Sequence, residues 1–314
     1  MNLRIGSFLA GCLLLVIVGC SGKQADPPEF ATKPWPAEGW REAVKLTGLD
    51  RHFKNNLSGA HWNPLTKTLF VVTNKPGKMW RLQRRGGVFT VVGKYSLSGD
   101  IEAVTQRLTK ANYAFVLDEA DYKIKKVLWK GSDGAGVVGN WQIKKYLPHD
   151  NERLGPEGLA FVPNKSLKGA RFTDPQGRPR LGKNGLGGLM FVAHQADGRI
   201  YVFDLAAKGS RVDFVGSYAT SRSESCALEF DSSTNRLYIW HSPDTNYLEI
   251  VSLASHNLGK DRQFNRLAEF KGPRSGNLEG FAMAREDGDT DSIFVTDDDN
   301  ELGSGLMWFK KFRY

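Results

Sequence analysis

Three glutamates share one local context in this 314-residue chain: Glu102 in Ile-Glu-Ala-Val, Glu157 in Pro-Glu-Gly-Leu and Glu279 in Leu-Glu-Gly-Phe. Each opens a short apolar run. Each is followed, after a polar turn and a second apolar run, by further acids or polar groups: Asp118 with Glu119, His194 with Gln195, and Asp297, Asp298 and Asp299. Carboxylates brought face to face repel unless they take up protons or share a cation. An all-oxygen set suits Ca²⁺, which accepts six to eight hard ligands in flexible geometry. Zn²⁺ would call for clustered His or Cys, and His194 and His241 lack such partner spacing.

The elements that would position these acids repeat. Runs beginning at Leu57, Ile101, Pro156, Ser225 and Leu278 open five units. In each, a short apolar strand leads through a polar turn to a strongly apolar second strand (LFVVT, YAFVLD, LMFVAH, LYIWH, IFVTD). A third, alternating strand follows, and in most units a fourth. Matching starts at Ser58, Glu102, Glu157, Ser225 and Glu279 recur at intervals of 44, 55, 68 and 54 residues, the period of propeller blades. The second strands read as buried on both faces and the outer ones as alternating. The fold class expected is all-β, a five-bladed β-propeller. The fifth unit ends after three strands, so Trp40–Leu49 is expected to supply its outer strand and close the ring.

In such a blade the start of the first strand and the end of the second lie at the same mouth of the central channel. Glu102, Glu157, Glu279, Asp118, Asp297 and Asp298 are therefore the expected metal ligands, with Asp100 just before Glu102. Ser58, Asn74, Glu119, His194 and His241 are the expected further contacts at that mouth. A basic insert at residues 164–188, within the third unit, is expected to be a solvated loop.

The first residues read MNLRIGSFLAGCLLLVIVGCSG. Arg4 precedes an apolar stretch of about a dozen residues, short for a bilayer span and right for a secretory signal. Ile17-Val18-Gly19-Cys20 resembles the bacterial lipoprotein cleavage box. The organisation expected is a lipoprotein signal peptide at 1–19, a lipidated Cys20 with a flexible, Pro-rich tether to residue 39, and a propeller at 40–314. By resemblance to bacterial sorting rules, Ser21 points to the outer membrane, facing the periplasm. Cys226 alone remains in the mature domain beyond the lipidated residue, so no internal disulfide can form and the thiol reads as core packing. The net charge of +9 would suit nucleic acid, but an export signal argues against it. The partners expected are the membrane, through the anchor, and an unknown ligand or envelope protein, for a monomer. No nucleophile elbow or phosphate-binding loop is present.

The stretch LSGAHWNPLTKTLFVVTNKPGKMWRL followed by LSGDIEAVTQ, with GPEGLAFVP and NLEGFAM later, resembles the SdiA-regulated family of bacterial envelope proteins. The resemblance implies a five-bladed propeller and, in some members, bound Ca²⁺. The last unit also resembles phytase-like esterase propellers. Two functions are therefore expected as alternatives: a Ca²⁺-binding lipoprotein presenting an acidic channel mouth, or a Ca²⁺-dependent hydrolase of a phosphoester, ester or lactone.

Overall fold

A computed structural model describes residues 31–54, 56–132, 134–149, 154–242, 245–285, 291–298 and 305–314. The expected signal peptide, Cys20, the start of the tether and Asp299 lie outside the described residues.

Five four-stranded antiparallel sheets make up the domain. A short outer strand comes first, β1 (Val44–Lys45). Blade one is β2 (Leu57–Asn63), β3 (Thr68–Thr73), β4 (Lys78–Arg85) and β5 (Val88–Ser96). Blade two is β6 (Ile101–Thr105), β7 (Tyr113–Asp118), β8 (Lys123–Lys130) and β9 (Gly134–Gln142). Blade three is β10 (Pro156–Pro163), β11 (Gly188–His194), β12 (Arg199–Leu205) and β13 (Val212–Tyr218). Blade four is β14 (Ser225–Asp231), β15 (Arg236–His241), β16 (Tyr247–Leu258) and β17 (Asp261–Lys271). Blade five is β18 (Leu278–Ala284), β19 (Asp291–Asp297) and β20 (Leu306–Phe312), with β1 as its outer strand. The innermost strands touch round a closed ring, from β2 to β6, β10, β14 and β18 and back to β2.

The apolar second strands are buried almost throughout, as two-sided burial requires. The core is divided into five apolar clusters, one between each pair of adjacent blades. The closure is smaller than expected. Only Val44 and Lys45 pair with Trp308 and Met307, and the chain then turns into a 3-10 helix at Thr47–Leu49.

Two segments are more ordered than their composition suggests. Lys33 bridges to Phe270, and Trp35 packs edge-on against Trp240 and Phe309, so the last part of the Pro-rich stretch is docked on blades four and five. Its aromatic residue supplies the apolar surface that a free tether lacks. The basic insert is likewise folded. Leu167 of α1 (Asn164–Gly169) and, after the helix, Phe172 enter the cluster between blades three and four. Buried Asp174 accepts hydrogen bonds from Arg178 and Arg180, which turns part of the basic run inward.

Candidate functional site

The repeated Glu-Gly opening has a structural cause. In every blade the first strand breaks register with the second near its start, leaving one residue, or two in blade five, bulged toward the channel. The bulge holds Ser58, Glu102, Glu157 and Glu279 in four blades, and Cys226 in the fourth blade rather than Ser225. Next along the chain stands a small residue: Gly59, Ala103, Gly158, Ala227 or Gly280. A Cβ on Gly59 would lie 2.5 Å from the Glu102 carbonyl oxygen, and one on Gly280 would lie 2.9 Å from that of Ser58. At these glycines the innermost strands approach too closely for a Cβ, the other two blades carry only a methyl group there, and the preceding residue is what faces the channel.

A second ring stands above the first. The residues just after the second strands are Asn74, Glu119, Gln195, Ser242 and Asp298, and each donates its backbone N–H to the residue before its own blade's first strand (Asn56, Asp100, Gly155, Glu224 and Asn277). The Asn74, Gln195 and Asp298 carbonyls accept from Ile101, Glu224 and Asn56 of the next blade. This backbone lacing fixes both rings at one mouth.

The result is a concentration of acids. One carboxylate oxygen each from Asp100, Glu102 and Glu119 lie within 4.8 Å of one another. Glu102 and Glu157 are only 6% and 8% exposed, although each is acidic. Burial, reinforced by Glu279, Glu119 and Asp100, pushes the Glu102 carboxyl well above the usual carboxylate range, with the Ser58 hydroxyl opposing. Burial, then Glu279 and Glu102, does the same to Glu157. Glu279 is raised by burial and by Asp298, although Asn277 donates to it at 2.8 Å. Glu119 is raised by burial against a hydrogen bond from the Gly155 amide. Among the described residues, the buried oxygens Asp100 Oδ1 and Glu157 Oε2 have no hydrogen-bond partner. Lys75 reaches over the rim to the other oxygen of Asp100. Burial with Glu157 and Glu279 nearby pushes the Cys226 thiol up, which keeps it protonated and unreactive.

Four expected site residues are engaged elsewhere. The last residue of a second strand points away from its successor, since side chains alternate along extended chain. Asp118 is buried against Lys125 and Asp297 against Arg274. His194 is 3.0 Å from Asp197 and 3.1 Å from the Pro148 carbonyl oxygen. His241 lies 3.0 Å from Glu249 and 3.2 Å from the Ser225 hydroxyl. These four tie strands together. Ser58, Glu102, Glu119, Glu157, Glu279 and Asp298 do gather at the mouth, and Asn74 stands on its rim, its side-chain oxygen accepting from the Lys75 amide. Asp100 and Cys226 complete the group, the second hidden by a one-residue slip that only the strand pairing reveals.

Fold and site together define a five-bladed β-propeller whose channel is lined with carboxylates at one mouth. Residues 39–176 match the SdiA-regulated family, a stretch covering the first two blades and the innermost strand of the third. Among solved structures, the chain is similar to a nidogen/laminin complex at 13% identity, with 77% of this chain and 75% of that chain covered and a TM-score of 0.42. It is similar to Kuenenia stuttgartiensis hydrazine synthase at 12% identity, covering 77% of this chain and 63% of that one, again at 0.42. A luciferin-regenerating enzyme gives 12% identity, coverage of 86% and 95%, and 0.42.

Proposed function

We propose that this propeller is a lipid-anchored envelope protein that binds Ca²⁺ at its acidic channel mouth and presents the ordered loops there to a ligand or envelope protein. One observation carries the metal reading: Asp100, Glu102 and Glu119 are crowded within 4.8 Å, with buried Asp100 Oδ1 unpartnered. The donor set is all oxygen and partly desolvated, which suits a hard divalent cation of flexible coordination. Asp100, Glu102 and Glu119 would hold the ion, with Glu157 and Glu279 next in the same field. A bound Ca²⁺ would supply the positive charge that lets these acids ionise together. The chain's own contribution is to hold the carboxylates on bulges fixed by the closed ring and to keep water from screening them.

Titration calorimetry with CaCl₂ tests this. Binding should weaken by roughly tenfold or more in Asp100→Asn and Glu102→Gln, since each removes a charged ligand. Unchanged affinity in both variants sinks the reading. The anchor rests on the Cys20 context alone and is tested by fractionation, where Cys20→Ala should free the chain from membranes. For the hydrolase alternative, whose general base would be a mouth carboxylate, His194 or His241, the two histidines are engaged by Asp197 and Glu249. Turnover of a phosphoester or lactone panel, abolished by EDTA, would restore it.

A further inference from the structure

The channel has a second end, which the acidic mouth does not use. Where the innermost strands finish, they enclose a cavity of about 340 Å³ lined by residues from all five blades. That is within the size range of sites for small organic ligands. Its wall mixes polar groups with an apolar part made by side chains that include Trp62, Phe161 and Met283. Its charges are arranged quite differently from those of the acidic mouth. Glu229, 3% exposed, is engaged by His61 Nδ1 at 2.9 Å, and the His61 Nε2 has no hydrogen-bond partner among the described residues. Asp231 is held by Arg285 at 2.9 Å, and Arg285 also meets Asp291 at 2.8 Å. Each carboxylate lining the cavity thus already has a side-chain partner within the fold.

Arg107 is the exception. It lines the cavity, half-buried, and its guanidinium stands 5.7 Å from the centre of the Phe161 ring. Among the described residues it has no carboxylate partner. A guanidinium beside an aromatic wall, with the neighbouring acids already engaged by other side chains, favours an anion carrying an apolar body. A cationic ligand would find no open acid.

We propose that this end of the channel is a binding site for a small, largely apolar monocarboxylate. The carboxylate pairs with Arg107, the apolar body lies against Trp62, Phe161 and Met283, and His61 Nε2 is placed for one further polar group. The site is independent of the acidic mouth and does not rest on Ca²⁺ binding.

The probes are 2-naphthoate and 2-naphthylmethanol, which share a ring system and differ in charge. Titration calorimetry on the full-length chain should show one molecule of 2-naphthoate bound per chain, roughly tenfold tighter than the alcohol, the scale of one charge-assisted bidentate contact. In Arg107→Gln the preference should collapse to about twofold or less, and Arg107→Lys should restore part of it. EDTA and Glu157→Gln should leave it unaltered. Thermal melting checks that the variants fold, and Arg107 lies on the cavity wall with no ion pair whose loss would unfold a blade. Equal affinity for the two probes, no binding of 2-naphthoate at millimolar concentration, or a preference that survives Arg107→Gln would each overturn the proposal.

Discussion

The two ends of one channel solve the problem of buried charge in opposite ways. At the far end, Glu229 meets His61 and Asp231 meets Arg285. Burial still raises the Glu229 carboxyl, but His61 and the Trp62 amide oppose it, and the Asp231 carboxyl is lowered by its hydrogen bonds and Arg285. At the mouth, Glu102, Glu157 and Glu279 are equally secluded and have mainly one another, and all three are pushed well above the usual carboxylate range. The same strands carry both arrangements, a few residues apart. Compensated charge belongs to the fold and makes it rigid. Uncompensated charge stores repulsion that protons or a bound cation can relieve, so it is the end expected to respond to pH and metal.

The contrast is broken most sharply by deleting one acid at each end. Glu229→Ala leaves the His61 imidazole buried without its partner and should cost about 3 kcal/mol. That is a fall in melting temperature of roughly 5–10 °C. Glu157→Gln, measured in EDTA at neutral pH, should instead raise the melting temperature, because it removes repulsion and a desolvated charge. If both changes destabilise alike, the two ends do not differ as described.

Calcium comes next. At a concentration one hundred times its Kd it should add about 2.7 kcal/mol to the wild type, and most of that gain should vanish in Glu102→Gln. Differential scanning calorimetry with and without CaCl₂ reads the difference directly.

The pH dependence is smaller and has a definite sign. The raised glutamates bind protons more tightly in the folded state than their ordinary value of 4.5 allows in the unfolded chain. In EDTA, stability should therefore fall as pH rises from about 4.5 through the folded values. Calcium should flatten that slope. A stability that climbs with pH across this window in EDTA would contradict the assignment.

The smallest effect expected is at Lys75. Its ammonium is a mobile substitute for a cation at Asp100, on a side chain that is 74% exposed. Lys75→Ala should leave the melting temperature nearly unchanged, as exposed ion pairs do, while tightening Ca²⁺ binding by about twofold.

Much of this was legible in the chain itself. The number of blades, the order of strands within each, and the common register of Glu102, Glu157 and Glu279 follow from apolar periodicity, because a doubly covered second strand must be continuously hydrophobic. The small residue after each glutamate was visible too, although its cause, the close approach of neighbouring innermost strands, was not. Trp35 and Phe172 show where composition misleads: a single large aromatic residue can dock a segment whose neighbours are polar.

What tertiary structure decided was which neighbours of the acids share their space. Asp118 and Glu119 are adjacent in sequence, yet one is locked to Lys125 inside a blade and the other reaches the mouth. Asp297 and Asp298 divide in the same way. A bulge shifts the pairing by one residue, and a shift of one residue exchanges the two faces of a strand, so Cys226 and not Ser225 completes the ring. The cavity at the other end is built from short stretches contributed by five strands and their turns, and no local pattern announces it. Periodicity therefore determined the blades and the register of the glutamates, because strand burial is a local constraint. The site and its counterpart depended on the closed ring, because only closure brings residues from distant blades together.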